Sequence, residues 1–153
     1  MAKKKTKRKY VYKEKSPLGH YHAGAFIVRC LDSRFWGVAK HFVKSLGIKH
    51  PDPAFPAGGA KVFSSPFDKH ETEHYLGQIA KSIKLHHTKK VMLFTHHDCG
   101  AYGGFAGFGN DEDREFKFHK KELKKAKKAI KKRFPKLKVK TYFIDGIGVI
   151  KIS

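Results

Sequence analysis

The sequence predicts an α/β domain with a mostly parallel central sheet, helices on its flanks and a hairpin at its C-terminus. Three observations carry this. Ala25–Cys30 and Val91–Thr95 are short apolar runs rich in strand formers that do not alternate with polar residues, as expected of strands buried on both faces. The segments between and after them repeat their apolar residues at spacings of three and four, as helices do. Strand, helix, loop, helix, strand, helix, strand is the chain order of an α/β fold.

The elements follow in turn. After Ala25–Cys30, residues Phe35, Val38, Ala39, Phe42, Val43 and Leu46 form one helical face that ends at Gly47. The Pro- and Gly-rich stretch His50–Pro66 reads as a crossing loop with a short strand near Lys61–Ser64. A second helix carries Tyr75, Leu76, Ile79, Ala80 and Ile83, entered through Glu71 and Glu73, whose charges favour a helix N-terminus. Beyond Val91–Thr95, a third helix places Phe116, Leu123, Ala126, Ile130, Phe134 and Leu137 in a narrow stripe, stopped at Pro135. Val139–Ile144 is the next strand, and Asp145-Gly146 turns it into Val149–Ile152 as a hairpin. Nothing marks a second core, so residues 16–153 read as one domain behind a tail at 1–15.

Charge is unevenly placed. The 153 residues hold 34 Lys or Arg against 13 Asp or Glu, a net charge of +21. Residues 1–15 contain eight of the cations and one Glu, and residues 117–140 contain thirteen with Glu122 as their only carboxylate. The body between is close to neutral. The first stretch is a low-complexity basic tail, disordered or folded over a partner. The second is a Lys-covered helix, read either as a solvated surface helix docked by its stripe or as a polyanion-binding face. Hydrophobic residues make up 40% of the chain, enough for a core. No run approaches the ~18 apolar residues of a membrane span, and the N-terminus has no apolar signal core. Two cysteines make no disulfide scaffold, so a soluble, cytoplasmic protein is expected.

Both cysteines fall where chemistry is expected. Cys30 opens Cys-Leu-Asp-Ser-Arg at the end of the first strand, and Cys99 closes His96-His-Asp-Cys99 after the second. Ligands in open α/β sheets bind at the carboxyl ends of strands. If the two strands are neighbours, Cys30, His96 and Cys99 converge. Two thiolates and an imidazole suit Zn²⁺, and three protein ligands leave its fourth position to water, as in catalytic zinc. Two other readings stand beside this one: ordinary buried core cysteines, or a disulfide, which an intracellular setting disfavours. For Asp32 and Ser33 a helix-capping role is compatible with either.

Cys30-Leu-Asp32-Ser-Arg34 followed by His96-His-Asp-Cys99-Gly100 resembles the paired signature of the β-class carbonic anhydrases. The likeness covers about residues 18–153 and includes the terminal hairpin. It implies a β-carbonic anhydrase-like fold, a zinc ion on Cys30, His96 and Cys99, and Asp32 and Arg34 as the catalytic pair. Asp32 would accept a hydrogen bond from zinc-bound hydroxide or close the metal as fourth ligand, with Arg34 deciding between those states through a salt bridge. The implied activity is that of a carbonate dehydratase, a zinc lyase interconverting CO₂ and bicarbonate, in a homodimer or higher oligomer. Carbonyl sulfide and carbon disulfide hydrolases use the same scaffold and are an alternative. A second alternative is a non-enzymatic polyanion-binding module with structural zinc, using residues 1–15 and 117–140. The family's Arg-Asn-Ala-Gly segment has its counterpart in Phe55-Pro56-Ala57-Gly58-Gly59, with Phe-Pro in place of Arg-Asn. His97 is a candidate proton shuttle, and Tyr102, Phe105 and Phe108 are candidate walls of an apolar pocket or of a dimer core.

Overall fold

A computed structural model describes Thr6 and residues 8–153. The expected basic tail therefore lies partly outside the described residues. Arg8–Lys15 form neither helix nor strand and are exposed. The ordered body contains strands β1 (Ala25–Val28), β2 (Pro51–Ala54), β3 (Lys90–His96), β4 (Lys138–Ile144) and β5 (Val149–Lys151). Its helices are α1 (Trp36–Ser45), α2 (Lys61–Ser64), α3 (Lys69–His86) and α4 (Glu112–Arg133). The sheet order is β2-β1-β3-β4-β5, parallel except for the β4–β5 hairpin. The predicted α/β class, the flanking helices and the closing hairpin are all present.

Strand alternation divides the core into two layers. Phe26, Val28, Val91, Leu93, Val139 and Phe143 face one side of the sheet, where Leu76 and Ile79 of α3 and Leu123, Ala126 and Ile130 of α4 cover them. Ala25, Ile27, Met92, Phe94, Tyr142 and Ile144 face the other side, covered by Ala39 and Val43 of α1. With apolar cover on both faces, β1 and β3 needed no polar alternation. Asp68 and Asp111 start α3 and α4 by accepting the backbone N–H of His70 and Arg114 at 2.7 and 3.0 Å.

One segment differs from expectation. Lys61–Ser64 is a single helical turn, not a strand, and the strand of this region is Pro51–Ala54. Gly24 and Arg29 donate their N–H groups to the carbonyls of His50 and Ala54, so the even-numbered residues of β2 face β1. Pro51 and Pro53 consequently face the free rim, where a missing N–H breaks no ladder bond and gives a further chain less to pair with.

The topology prepares a site. From β1 the chain leads outward to the β2 edge, and from β3 it leads the opposite way to β4, while β1 and β3 themselves pair with Phe26 opposite Val91. The crevice where two such paths diverge is the usual ligand position in a parallel sheet. The Cys30 and Cys99 segments both leave from it.

Candidate metal centre

The neighbouring strands bring Cys30, His96 and Cys99 together. All three are buried, and one donor atom from each lies within 4.8 Å of the others. The two Sγ atoms are 4.0 Å apart, which excludes the disulfide reading and leaves both thiols free. Two thiolates bonded to one tetrahedral zinc at about 2.3 Å would sit about 3.8 Å apart, so the pair already has nearly the required separation.

His96 is equally prepared. Its Nδ1 lies 2.8 Å from the carbonyl oxygen of His97, so Nδ1 must donate, and the lone pair is left on Nε2. That Nε2 is buried without a hydrogen-bond partner. A buried orphan lone pair facing two thiols is what a metal-binding imidazole looks like before its ion. Phe35 stacks on the His96 ring with centroids 4.4 Å apart and holds its plane.

The thiols perturb one another. Cys30 is held well below the usual thiol range, first by a hydrogen bond from Cys99 and then, against burial, by the N–H groups of Asp32 and Gly58. The same bond, with burial, pushes Cys99 up. One sulfur is thus ready as a thiolate, the form that binds metal. Gly58 N–H lies 3.2 Å from the Cys30 sulfur. At Gly59, with φ +58°, a Cβ would stand 2.3 Å from the Phe94 carbonyl oxygen, so only glycine lets this loop pass between the two strand ends. The Ala-Gly-Gly portion of residues 57–59 therefore supports the donors, whereas Phe55 stacks on the guanidinium of Arg29, 3.8 Å from its centre to the ring centroid.

Asp32 and Arg34 form the expected pair. Arg34 Nη2 donates to Asp32 Oδ2 at 2.7 Å and Nε reaches both carboxylate oxygens at 3.1 Å. This clamp is the main reason the Asp32 carboxyl is held down to about 2. Asp32 Oδ2 lies 4.0 Å from His96 Nε2, at the edge of the donor cluster. Asp32 also caps the short turn that follows, accepting Arg34 N–H at 3.0 Å, as the capping reading expected.

Two features were not anticipated. Arg34 also donates Nη1 to the Asp98 carboxylate and Nη2 to the Asp98 carbonyl, both at 3.0 Å, so one guanidinium ties the two motif loops together. Glu115 of α4, buried at 1% exposure, accepts the Asp98 N–H at 2.8 Å and meets His97 Nδ1 at 2.6 Å. His97 thus points toward the Glu115 clasp. Tyr102 and Phe108 crowd the ring of buried His119, whereas Phe105 meets His97 edge-on. The arrangement can hold a borderline-soft cation in a buried S₂N set beside a fixed carboxylate, and that donor set matches zinc.

A family model described as "Putative carbonic anhydrase" matches residues 22–152. The chain is 28% identical over 134 residues to an uncharacterized protein of Rickettsia bellii, covering 84% of this chain and 80% of that one. An uncharacterized protein of Rickettsia conorii is also 28% identical, with 84% and 70% covered. Among solved structures, the β-carbonic anhydrase isoform I of Trichomonas vaginalis superposes with a TM-score of 0.62 at 16% identity, covering 91% of this chain and 87% of that one. The carbonic anhydrase of Streptococcus mutans gives 0.61 at 17% identity, with 93% and 88% covered. These similarities make the fold β-carbonic anhydrase-like.

Proposed function

The chain belongs to that carbonic anhydrase family, and from that premise we propose that it catalyses the reversible hydration of CO₂ to bicarbonate with one zinc ion on Cys30, His96 and Cys99. One observation carries the reading: a buried thiol–imidazole–thiol cluster stands beside a carboxylate that an arginine clamps. Zinc held there would supply Lewis acidity, making water acidic enough to lose a proton near neutral pH.

The chain's own groups do the rest. Asp32 is anionic and therefore only accepts hydrogen bonds. At the edge of the cluster it would accept a hydrogen bond from the attacking oxygen, remaining unprotonated itself, and so aim that oxygen's lone pair at the CO₂ carbon. Arg34 keeps Asp32 from swinging onto the metal donors, which supports the acceptor role over that of a fourth ligand. The free thiols fit a reducing compartment, the cytoplasm. No helix among the described residues is long and apolar enough to cross a membrane. We place the enzyme as a homo-oligomer, to be checked by light scattering. A relative by fold from Sordaria macrospora is described as tetrameric.

Stopped-flow CO₂ hydration by zinc-loaded protein across pH 6.5–9 tests the proposal. Turnover well above the buffer rate supports it. A zinc-loaded protein no faster than buffer rejects it. Carbonyl sulfide and carbon disulfide in parallel assays separate the isosteric alternatives by the ratio of their kcat/KM values to that for CO₂.

A further inference from the structure

The pole of the sheet opposite the metal donors is built of cations. A groove of about 970 Å³ runs between the start of β1, the end of α3, the starts of β3 and β4, and the end of α4. Lys89, Lys90, Arg133, Lys136 and Lys138 line it, and no carboxylate does. None of these five forms an ion pair among the described residues. The groove continues onto the water-facing side of α4, where Lys117, Lys120, Lys121, Lys124, Lys128 and Lys132 are exposed along a helix of about 33 Å. Of the lysines on α4, only Lys125 has a carboxylate partner among the described residues, Glu122.

The basic N-terminal segment enters the fold at the same place. His22 lines the groove, and the next residue, Ala23, donates its N–H to the carbonyl of His86 at 2.8 Å. The described cations of that segment, Arg8, Lys9, Lys13 and Lys15, are exposed.

Like charges held together without counter-charges raise the potential of a concave surface and favour an anion that neutralises several at once. The apolar residues beside these cations decide which anion. Firm seating on a bilayer takes a row of exposed hydrophobic side chains beside the lysines, but Phe134 and Leu137 pack into the core cluster and Phe118 is the one large hydrophobic exposed on α4. Recognition of unpaired bases would need a platform of open aromatic rings, and the groove offers that same half-buried Phe134 with the imidazoles of His22 and His87, which lie against each other at 4.6 Å. A stiff backbone of regularly spaced phosphates needs neither. We propose that this groove, with the outer side of α4, binds the phosphate backbone of duplex nucleic acid without reading its sequence. The proposal rests on the charge and shape of the groove and the outer side of α4, not on the donor cluster, and is independent of the carbonic anhydrase reading.

Fluorescence anisotropy with zinc-loaded full-length protein and two labelled 24-base-pair duplexes of unrelated sequence tests it. Both duplexes should bind within about threefold of each other, and affinity should fall about 10³-fold between 50 and 200 mM salt, the slope of roughly six phosphate contacts. The variant K89E/R133E/K136E should weaken binding by at least ~30-fold at 100 mM salt. K40E/K44E/K151E changes the same charge away from the groove and should weaken it no more than about fivefold. Circular dichroism confirms that both variants fold. Equal losses in the two variants, no binding to either duplex at 100 mM salt, or tighter binding to vesicles containing 30% phosphatidylserine than to duplex would each overturn the proposal.

Discussion

At the carboxyl ends of β1 and β3 the polar side chains close on one another. Arg34 holds Asp32 and Asp98, Glu115 holds the loop between His96 and Cys99, and His97 carbonyl fixes the His96 tautomer. At the amino ends of β1, β3 and β4 the cations face water without partners of opposite charge among the described residues. The two poles share one sheet, yet they should respond to change in different ways. Where each group has one partner at about 3 Å, a single substitution removes a specific geometry and the effect is large and local. Where many like charges act together, each contributes a small, salt-screened share.

The metal pole should give the largest effect. Cys99→Ser removes a thiolate donor and should drop zinc from about one per chain to less than a tenth, with CO₂ hydration falling to background. Metal analysis beside the kinetic assay checks both. Arg34→Ala should come next, keeping the zinc but lowering kcat/KM by about 10- to 100-fold, the usual scale for a residue that orients groups around a metal. A variant with wild-type turnover would show that the clamp on Asp32 is dispensable.

A buried residue between the poles gives the third. His119 is fully buried among Tyr102, Phe108 and Phe143, and neither ring nitrogen has a partner. Burial above all, with His96 and His97 nearby, depresses it to about 4. The unfolded chain takes up the proton near pH 6.5 while the folded one refuses it, so stability falls as pH drops from about 6.5 toward 4 and is unaffected above that window. The loss should run at about 1.4 kcal/mol per pH unit, roughly 3 kcal/mol in all. Urea melts at pH 7.5, 6 and 5 should show this slope, and His119→Phe should flatten it. An unchanged slope would place its origin elsewhere.

Deleting residues 1–15 should matter least to the chemistry, leaving CO₂ turnover within about twofold, because the donors and their partners all lie beyond residue 29. A large loss would mean that the segment helps build the site and that the two poles are not separate.

Much of this was legible in the sequence, for identifiable reasons. β1 and β3 are apolar on both faces, and α1, α3 and α4 repeat at helical spacing, so their periods were unmistakable. The β2 strand Pro-Asp-Pro-Ala was hidden, because an edge position tolerates prolines that would argue against a central strand. Val62 and Phe63 suggested a strand because a four-residue helix is too short to show a period. The candidate metal donors were visible because each motif follows its strand directly. Glu115 was not, since its partners lie 17 and 18 residues away and meet it only when α4 docks. One signal was available: Glu115, His119 and Glu122 continue the apolar stripe of α4 at spacings of four and three. Polar residues at buried positions of a stripe require partners, and two of the three have them.

The most direct test of the central claim compares wild type with Asp32→Asn at matched zinc content, by stopped-flow CO₂ hydration near pH 8. The account predicts brisk wild-type hydration and a loss of about 10- to 100-fold in the variant, with zinc unchanged at one per chain. Equal rates in the two proteins, or a wild type that binds zinc yet hydrates CO₂ no faster than buffer, would contradict it.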